Sequence, residues 1–532
     1  MEQWKNRVAV VTGASSGIGA AIVLDLVKAG MITIGLARRV ERVEALKKNL
    51  PSNLQENLHA VKCDVSKEDE IIKVFTWIDS KFNGIDVLIN NAGILRTTEL
   101  INKDNSTAIR EVLDTNVMGL VFCTREAVQS MLKHKRNSHI VHINSIVGHN
   151  IMFSAELPSL NIYPASKFAV TAITEIHRQE LIRSKHHIKV TSVSPGAVKT
   201  EIFSEEQAEF VAKIPILEPE DISQSVLHVL GTPPRVQIHE LTIKPFGEMF
   251  YIWFSYIAKL KICQSAFGVD IVWMHKKDSA LKMDQWKDRV AVVTGASSGI
   301  GAAIARDLVK AGMITVGLAR RVERIEALKD DLPSDIRHNL HALKCDVSKE
   351  EDIISVFGRI DAKFNGIDVL INNAGIYRET ALTDPNNSIH VREVIDTNVM
   401  GVVFCTREAF KSMEKHGRNS HVVHINSIAG HKVYCNLEQP PINIYPASKY
   451  AVTAITEIHR QEFIRSKKHI KVTSISPGLV KTEIFLPAHK DIFDQLPCLE
   501  PEDVSQSVMY ALGTPPRVQV HDLTIKPFGE PF

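Results

Sequence analysis

The segment VAVVTGASSGIGAAI occurs twice in this chain, from Val8 and again from Val290. INNAGI recurs at Ile89 and Ile371, YPASK at Tyr163 and Tyr445, and SPG at Ser194 and Ser476, so the same 282 positions separate every pair. A period of a few tens of residues would specify a solenoid, whereas one this long specifies duplicated whole domains. Met1 aligns with Met283 and Phe250 with Phe532, which leaves residues 251–282 without a counterpart. The expected organisation is a first unit over 1–250, a linker over 251–282 and a second unit over 283–532, as though two reading frames had been joined, by genuine fusion or by gene prediction.

The linker contains the apolar run YIWFSYIAKLKICQSAFGVDIVW, which raises the question of a membrane span. Its apolar residues favour insertion by about 3–5 kcal/mol, while Lys259, Lys261 and Asp270 oppose it by about 8–10 kcal/mol. A partly helical connector packed on a domain surface is therefore expected. With 532 residues, 44% hydrophobic and 23% charged, the chain has the composition of a soluble globular protein of more than one domain. A net charge of +2 gives no reason to expect nucleic acid as a partner. The seven cysteines show neither CxxC nor metal-ligand spacing, which predicts no metal and a reducing, cytoplasmic compartment. A strand expected at 7–12 leaves no room for a signal peptide after Met1.

Strand-length apolar runs lie at 8–12, 33–37, 58–62, 87–90, 139–144, 189–193 and 240–243. Helix-period segments separate most of them, at 18–29, 42–50, 68–82, 108–133, 163–183 and 220–230. Alternating strands and helices predict an α/β fold, a doubly wound parallel sheet with helices on both faces, built twice. Continuous runs such as VAVVT suit strands covered on both sides. Ligands of such sheets bind at the carboxyl ends of the strands.

The first strand runs directly into a glycine-rich turn that opens a helix. Gly13, Ser15, Ser16, Gly17, Ile18 and Gly19 make up that turn, repeated as Gly295, Ser297, Ser298, Gly299, Ile300 and Gly301. Glycines allow backbone N–H groups to approach a pyrophosphate closely, and the helix N-terminus favours its charge. In this strand–turn–helix context the motif predicts a dinucleotide site. At the end of the second strand, where an acidic residue would hold the 2′-hydroxyl of NAD, stand Arg38 and Arg39, repeated as Arg320 and Arg321. Planar guanidinium forks suit a phosphate, so NADP(H) is the expected cofactor.

Taken in order, the glycine turn, Asn90-Asn-Ala-Gly93, Ser145 and Tyr163-Pro-Ala-Ser-Lys167 resemble the short-chain dehydrogenase/reductase family, and both units are covered nearly whole. Within it, GLARRVERIEALK, LHALKCDVSKEEDI and REVIDTNVMG look like the NADP-dependent farnesol-dehydrogenase-like group. The resemblance implies two Rossmann-type units and a hydride transfer between NADP(H) and an alcohol or carbonyl. It implies Tyr163 as acid/base, Lys167 as its cationic neighbour and ribose ligand, Ser145 as the substrate-orienting hydroxyl and Asn116 as the anchor of a proton-relay water. Their counterparts are Tyr445, Lys449, Ser427 and Asn398. Tyrosine and lysine four residues apart share one helix face; a nearby cation favours the phenolate, and lowering the tyrosine pKa by about 2–3 units would bring it into a useful range for acid/base work. The resemblance further assigns Asp64 and Val65 to the adenine side, Asn91 to the ribose side, and Val198 and Thr200 to the nicotinamide side. In the second copy these are Asp346, Val347, Asn373, Val480 and Thr482.

The substrate pocket is expected from 94–105, 147–160 and 201–216, where the copies diverge and whose apolar side chains suit a lipophilic alcohol or carbonyl such as farnesol or farnesal. A ketosteroid or general carbonyl reductase is the alternative, as is a non-catalytic NADP-binding scaffold. Family members associate through the helices before and at the tyrosine, here 108–133 and 163–183 with 390–415 and 445–465, which implies an internal pseudo-dimer or a homo-oligomer.

Overall fold

The computed structural model describes residues 1–151, 160–183, 187–203, 215–245, 283–433, 442–484, 496–516 and 518–528. The linker expected at 251–282 lies outside them.

β-Branched, wholly apolar runs have no solvent-facing register, so they become the interior strands of a covered sheet. β1 (Val8–Thr12) and β4 (Val87–Asn90) are buried at every position. β2 (Ile32–Ala37), β3 (Leu58–Lys62), β5 (Ser138–Ile143), β6 (Ile188–Pro195) and β7 (Glu240–Ile243) complete a seven-stranded sheet in the order β3-β2-β1-β4-β5-β6-β7. Every pairing is parallel. The order reverses between β1 and β4, which opens a crevice at their carboxyl ends.

α1 (Gly17–Lys28) and α7 (Pro219–Leu230) pack together against one face of the sheet. α3 (Glu68–Phe82), α4 (Ser106–Leu113), α5 (Leu120–His134) and α6 (Tyr163–Arg183) cover the other. The second unit repeats the design with β8–β14, from Val290–Thr294 to Asp522–Ile525, in the equivalent order. Its helices are α8 (Gly299–Lys310), α9 (Val322–Ala327), α10 (Glu350–Phe364), α11 (Ser388–Ile395), α12 (Gly401–His416), α13 (Tyr445–Arg465) and α14 (Pro501–Gly513).

Two expected helices differ in detail. The segment at 42–50 is α2 (Val40–Ala45) followed by a 3₁₀ turn at Leu46–Asn49. Pro51 excludes the helical conformation at Leu50, so the last turn tightens to meet its carbonyls. The long helix expected at 108–133 is α4 and α5 joined by a π-helical turn at Asp114–Gly119. There a Cβ on Gly119 would lie 2.6 Å from the Val65 carbonyl oxygen, so the glycine lets the helix run against the end of β3. The second unit widens likewise at Asp396–Met400.

The two units meet through α6 and α13, and one hydrophobic core runs through both. Buried charges ring that contact. Arg125, 1% exposed, donates to Glu68 at 3.0 Å and across the units to Ser388 at 2.7 Å. Arg407 mirrors it, donating to Glu350 at 2.7 Å and to Ser106 at 2.9 Å. Ser388 in turn donates to Glu68, and Ser106 to Glu350. Buried ions stay charged only when paired and hydrogen-bonded, so these clusters fix how the units register. No helix among the described residues is long and apolar enough to cross a membrane.

Candidate active site

The glycine turn sits where β1 feeds α1. Gly13 and Gly17 have φ of +66° and +52°, the left-handed region that side chains avoid. A methyl group at Gly17 would lie 2.8 Å from Cγ2 of Thr200, and one at Gly19 would lie 2.3 Å from the Gly13 carbonyl oxygen. Ser16, extended at φ −163°, precedes α1 without a side-chain cap. The first N–H groups of the helix therefore remain available to an anion.

Arg39 reaches back over this turn, donating to Ser16 at 3.1 Å and Ser15 at 3.4 Å. Glu201 holds it from the other side at 3.0 Å and also accepts from Arg42 at 2.8 Å. Slight burial would raise the Glu201 carboxyl, but the two guanidinium groups outweigh it and hold it below its ordinary value. Arg321, Ser298, Arg324 and Glu483 repeat the arrangement. Arg38 and Arg320 stand beside these pairs with no hydrogen bond or ion pair among the described residues. Glu201 and Arg42 were missed from the sequence; their only signal was adjacency to Thr200 and to the Arg pair.

Asn91 acts on the turn: its amide donates to the carbonyls of Thr12 at 3.0 Å and Gly13 at 3.2 Å. Asp64 accepts from the Ser66 N–H at 3.1 Å and the Ser66 hydroxyl at 2.8 Å, which shapes the loop after β3 and seats Val65. Val198 forms a parallel bridge with Leu217, so the segment reaching Thr200 lies against the turn.

Ser145 follows β5, and its hydroxyl accepts from the Val147 N–H at 3.3 Å. Tyr163 and Lys167 lie one turn apart at the start of α6, 9% and 6% exposed. The Lys167 ammonium donates to the Ile143 carbonyl at 2.9 Å and stands 5.7 Å from the Tyr163 ring centre. Burial works against the phenolate here, whereas a neighbouring cation would favour it. Burial pushes Tyr163 up to about 12, opposed only by its hydrogen bond with Ser145. Burial also brings Lys167 down to about 8. Tyr445 and Lys449 carry the same shifts to about 12 and about 8. Burial thus moves the two groups in opposite directions, the phenol up and the ammonium down.

Asn116 does not reach the open space with its side chain. It accepts from the Ile94 N–H at 2.8 Å and donates to the Ile94 carbonyl at 3.0 Å and to Ser166 at 3.1 Å. Asn398 is bound identically to Ile376 and Ser448. These asparagines pin the loop after NNAG to the tyrosine-bearing helix.

In the second unit a single cavity of about 750 Å³ joins the two halves of the site. Gly295, Ser297, Ser298, Gly299, Ile300, Arg320, Arg321, Asp346, Val347, Asn373, Val480 and Thr482 line it together with Ser427, Tyr445 and Lys449. Gly301 and Asn398 are not part of its lining; both serve packing behind it. Of the segments expected to choose substrate, 152–159 and 204–214, with 434–441 and 485–495, lie outside the described residues. The part of 94–105 nearest the tyrosine differs between copies. Leu95 packs on Tyr163 with Ile146 and Val147, whereas Tyr377 meets Tyr445 edge-on at 6.0 Å.

The sequence profile of the short chain dehydrogenases matches residues 7–210 and again 289–492. A farnesol dehydrogenase of Aedes aegypti is 63% identical over 250 residues, which is 47% of this chain and 100% of that protein. Dehydrogenase/reductase SDR family member 11 of Mus musculus is 44% identical over 254 residues, 46% of this chain and 96% of its own. In shape, the C-domain of a bacterial malonyl-CoA reductase, solved with NADP, covers 98% of this chain and 99% of its own at a TM-score of 0.73 and 13% identity. That likeness concerns the fold, and it runs through both units.

Tyrosinate absorbance tests the pKa order. With Tyr163 and Tyr445 held near about 12 by burial, titration of the protein should show no ionisation assignable to either below about pH 10. A tyrosinate step near pH 8 that disappears in the Tyr163→Phe/Tyr445→Phe protein would contradict the geometry.

Proposed function

The chain belongs to the short-chain dehydrogenase family in both of its units, and we propose that each unit is an NADP(H)-dependent oxidoreductase that interconverts a lipophilic alcohol and its carbonyl compound. Farnesol and farnesal are the first candidates, because a farnesol dehydrogenase is the 63% identical relative. The observation that carries the reading is the shared cavity of the second unit, where the glycine turn and Arg pair face the same space as Ser427, Tyr445 and Lys449.

NADP(H), when bound, donates or accepts the hydride at the carbinol carbon. The chain's own residues do the rest. Uncapped N–H groups at the start of α1 suit the pyrophosphate, and Arg38 with Arg39 suits the 2′-phosphate. Tyr163, protonated across the physiological range, gives its phenolic proton to the carbonyl oxygen during reduction and takes it back during oxidation. Ser145 is hydrogen-bonded to that phenol and orients the same oxygen. Lys167, still mainly cationic at pH 7, stabilises the phenolate left behind. Leu95, Ile146 and Val147, packed around the phenol, exclude water and favour an apolar substrate. Tyr445, Ser427 and Lys449 take the same roles in the second unit, where Tyr377 gives the pocket a different wall.

Two measurements test this. The Tyr163→Phe/Tyr445→Phe protein should lose NADPH-dependent reduction of farnesal by about 100-fold or more while still binding NADPH. Retained turnover would refute the mechanism. Replacing Arg38 and Arg39 with alanine, in a chain whose second unit is silenced by Tyr445→Phe, should raise KM for NADPH by about tenfold and leave KM for NADH much less affected. Equal effects on both would remove the phosphate role.

A further inference from the structure

We propose that unit one builds part of the substrate pocket of unit two, with Glu180 as a positioning residue that clamps the pocket loop from across the contact, and that Glu462 does the same in return. The inference rests on the reading of the second unit's cavity as a substrate site.

The loop over 376–387 joins β11 (Val369–Asn372) to α11, and it carries Tyr377 and Arg378 into the cavity wall. Its far end is bonded to the other unit. Glu180 of α6, 7% exposed, accepts from the Leu382 N–H at 2.7 Å and the Thr383 N–H at 3.0 Å. The Thr383 hydroxyl also donates to it at 2.9 Å. Gln129 of α5 donates to the Thr383 carbonyl at 2.9 Å, so unit one grips the loop by both its N–H and its C=O groups. Buried backbone donors need acceptors, and a carboxylate taking two of them makes strong, charge-assisted bonds. Ile176, Gln179, Glu180 and Arg183, all on α6, line the same cavity as Tyr445 and Lys449. The wall of the site is therefore completed from the neighbouring unit.

Unit two returns a contact of the same kind. Glu462, fully buried, accepts from the Leu100 N–H at 2.7 Å and the Ile101 N–H at 3.2 Å. Ile101 stands where unit two has Thr383, so the hydroxyl bond made by that threonine has no counterpart at this position.

The test uses the full chain with Tyr163→Phe, so that only unit two turns over. Adding Glu180→Ala should raise KM for farnesal about five- to tenfold, with little change in kcat or in KM for NADPH. Glu180→Gln, which keeps the shape and one acceptor, should recover part of the loss and covers the case in which alanine unfolds the contact. Hydrogen exchange is read on the same proteins: amides over 376–387 should lose protection in Glu180→Ala. Unchanged protection would overturn the clamp. Lost protection with unchanged KM would overturn its role in the pocket. If the parent chain reduces no carbonyl with NADPH, the proposed function fails, while the exchange measurement still decides the clamp.

Discussion

The site depends on hydrogen bonds that lock the carboxyl ends of two neighbouring strands to each other and to the tyrosine helix. The Thr12 hydroxyl accepts from the N–H groups of Asn91 and Ala92, each at 3.0 Å. The Asn91 amide returns to the Thr12 and Gly13 carbonyls. Two residues beyond, Ile94 is held by Asn116, which also donates to Ser166, and Ser166 donates to the Tyr163 carbonyl at 2.6 Å. A polar chain thus runs from the glycine turn past the end of β4 and through the π turn to the backbone of Tyr163. Its members Thr12, Asn116 and Ser166 are buried, where an unmet donor or acceptor is costly. Thr294, Asn373, Asn398, Ser448 and Tyr445 repeat it bond for bond. Distances between the two halves of the site are set by this chain, and the sheet's crevice supplies only the space.

Much of this was legible in the sequence because it is locally encoded. β1, β3, β4 and β7 and the helices Glu68–Phe82 and Tyr163–Arg183 fall where apolar periodicity put them. The glycine turn announces itself by residues that only that backbone requires. What the sequence could not show depends on partners far away in the chain. The π turn exists where Asn116 bonds Ile94 and Gly119 meets Val65, neither of which is a helix neighbour. The upward shift of Tyr163 follows from burial among Ile146, Val147 and Leu95, while the Lys167 ammonium donates to the Ile143 carbonyl. Glu180 looked like one more polar residue on a helix; only the other unit reveals its use.

The duplication gives the architecture a consequence beyond having two copies of one chemistry. The farnesol dehydrogenase and the SDR family member 11 compared above are each matched nearly whole by about half of this chain. Here the contact face of each unit meets a non-identical face. Phe410 stacks on Phe463 at 5.3 Å where the first unit has Val128 and Leu181, and Thr383 stands in place of Ile101. The shared core and the Arg125 and Arg407 clusters hold the faces together, and the walls beside Tyr163 and Tyr445 differ. Joining the units allows two pockets to diverge while each still borrows rigidity from the other.

If each unit carries a complete nucleotide site selective for a 2′-phosphate, the full chain binds two NADP(H). Equilibrium titration of the protein with NADPH and with NADH, followed by calorimetry, tests it directly. Two NADPH should bind per chain, with an affinity for NADH weaker by about tenfold or more at both sites. A stoichiometry of one, or equal affinity for the two nucleotides, would contradict it.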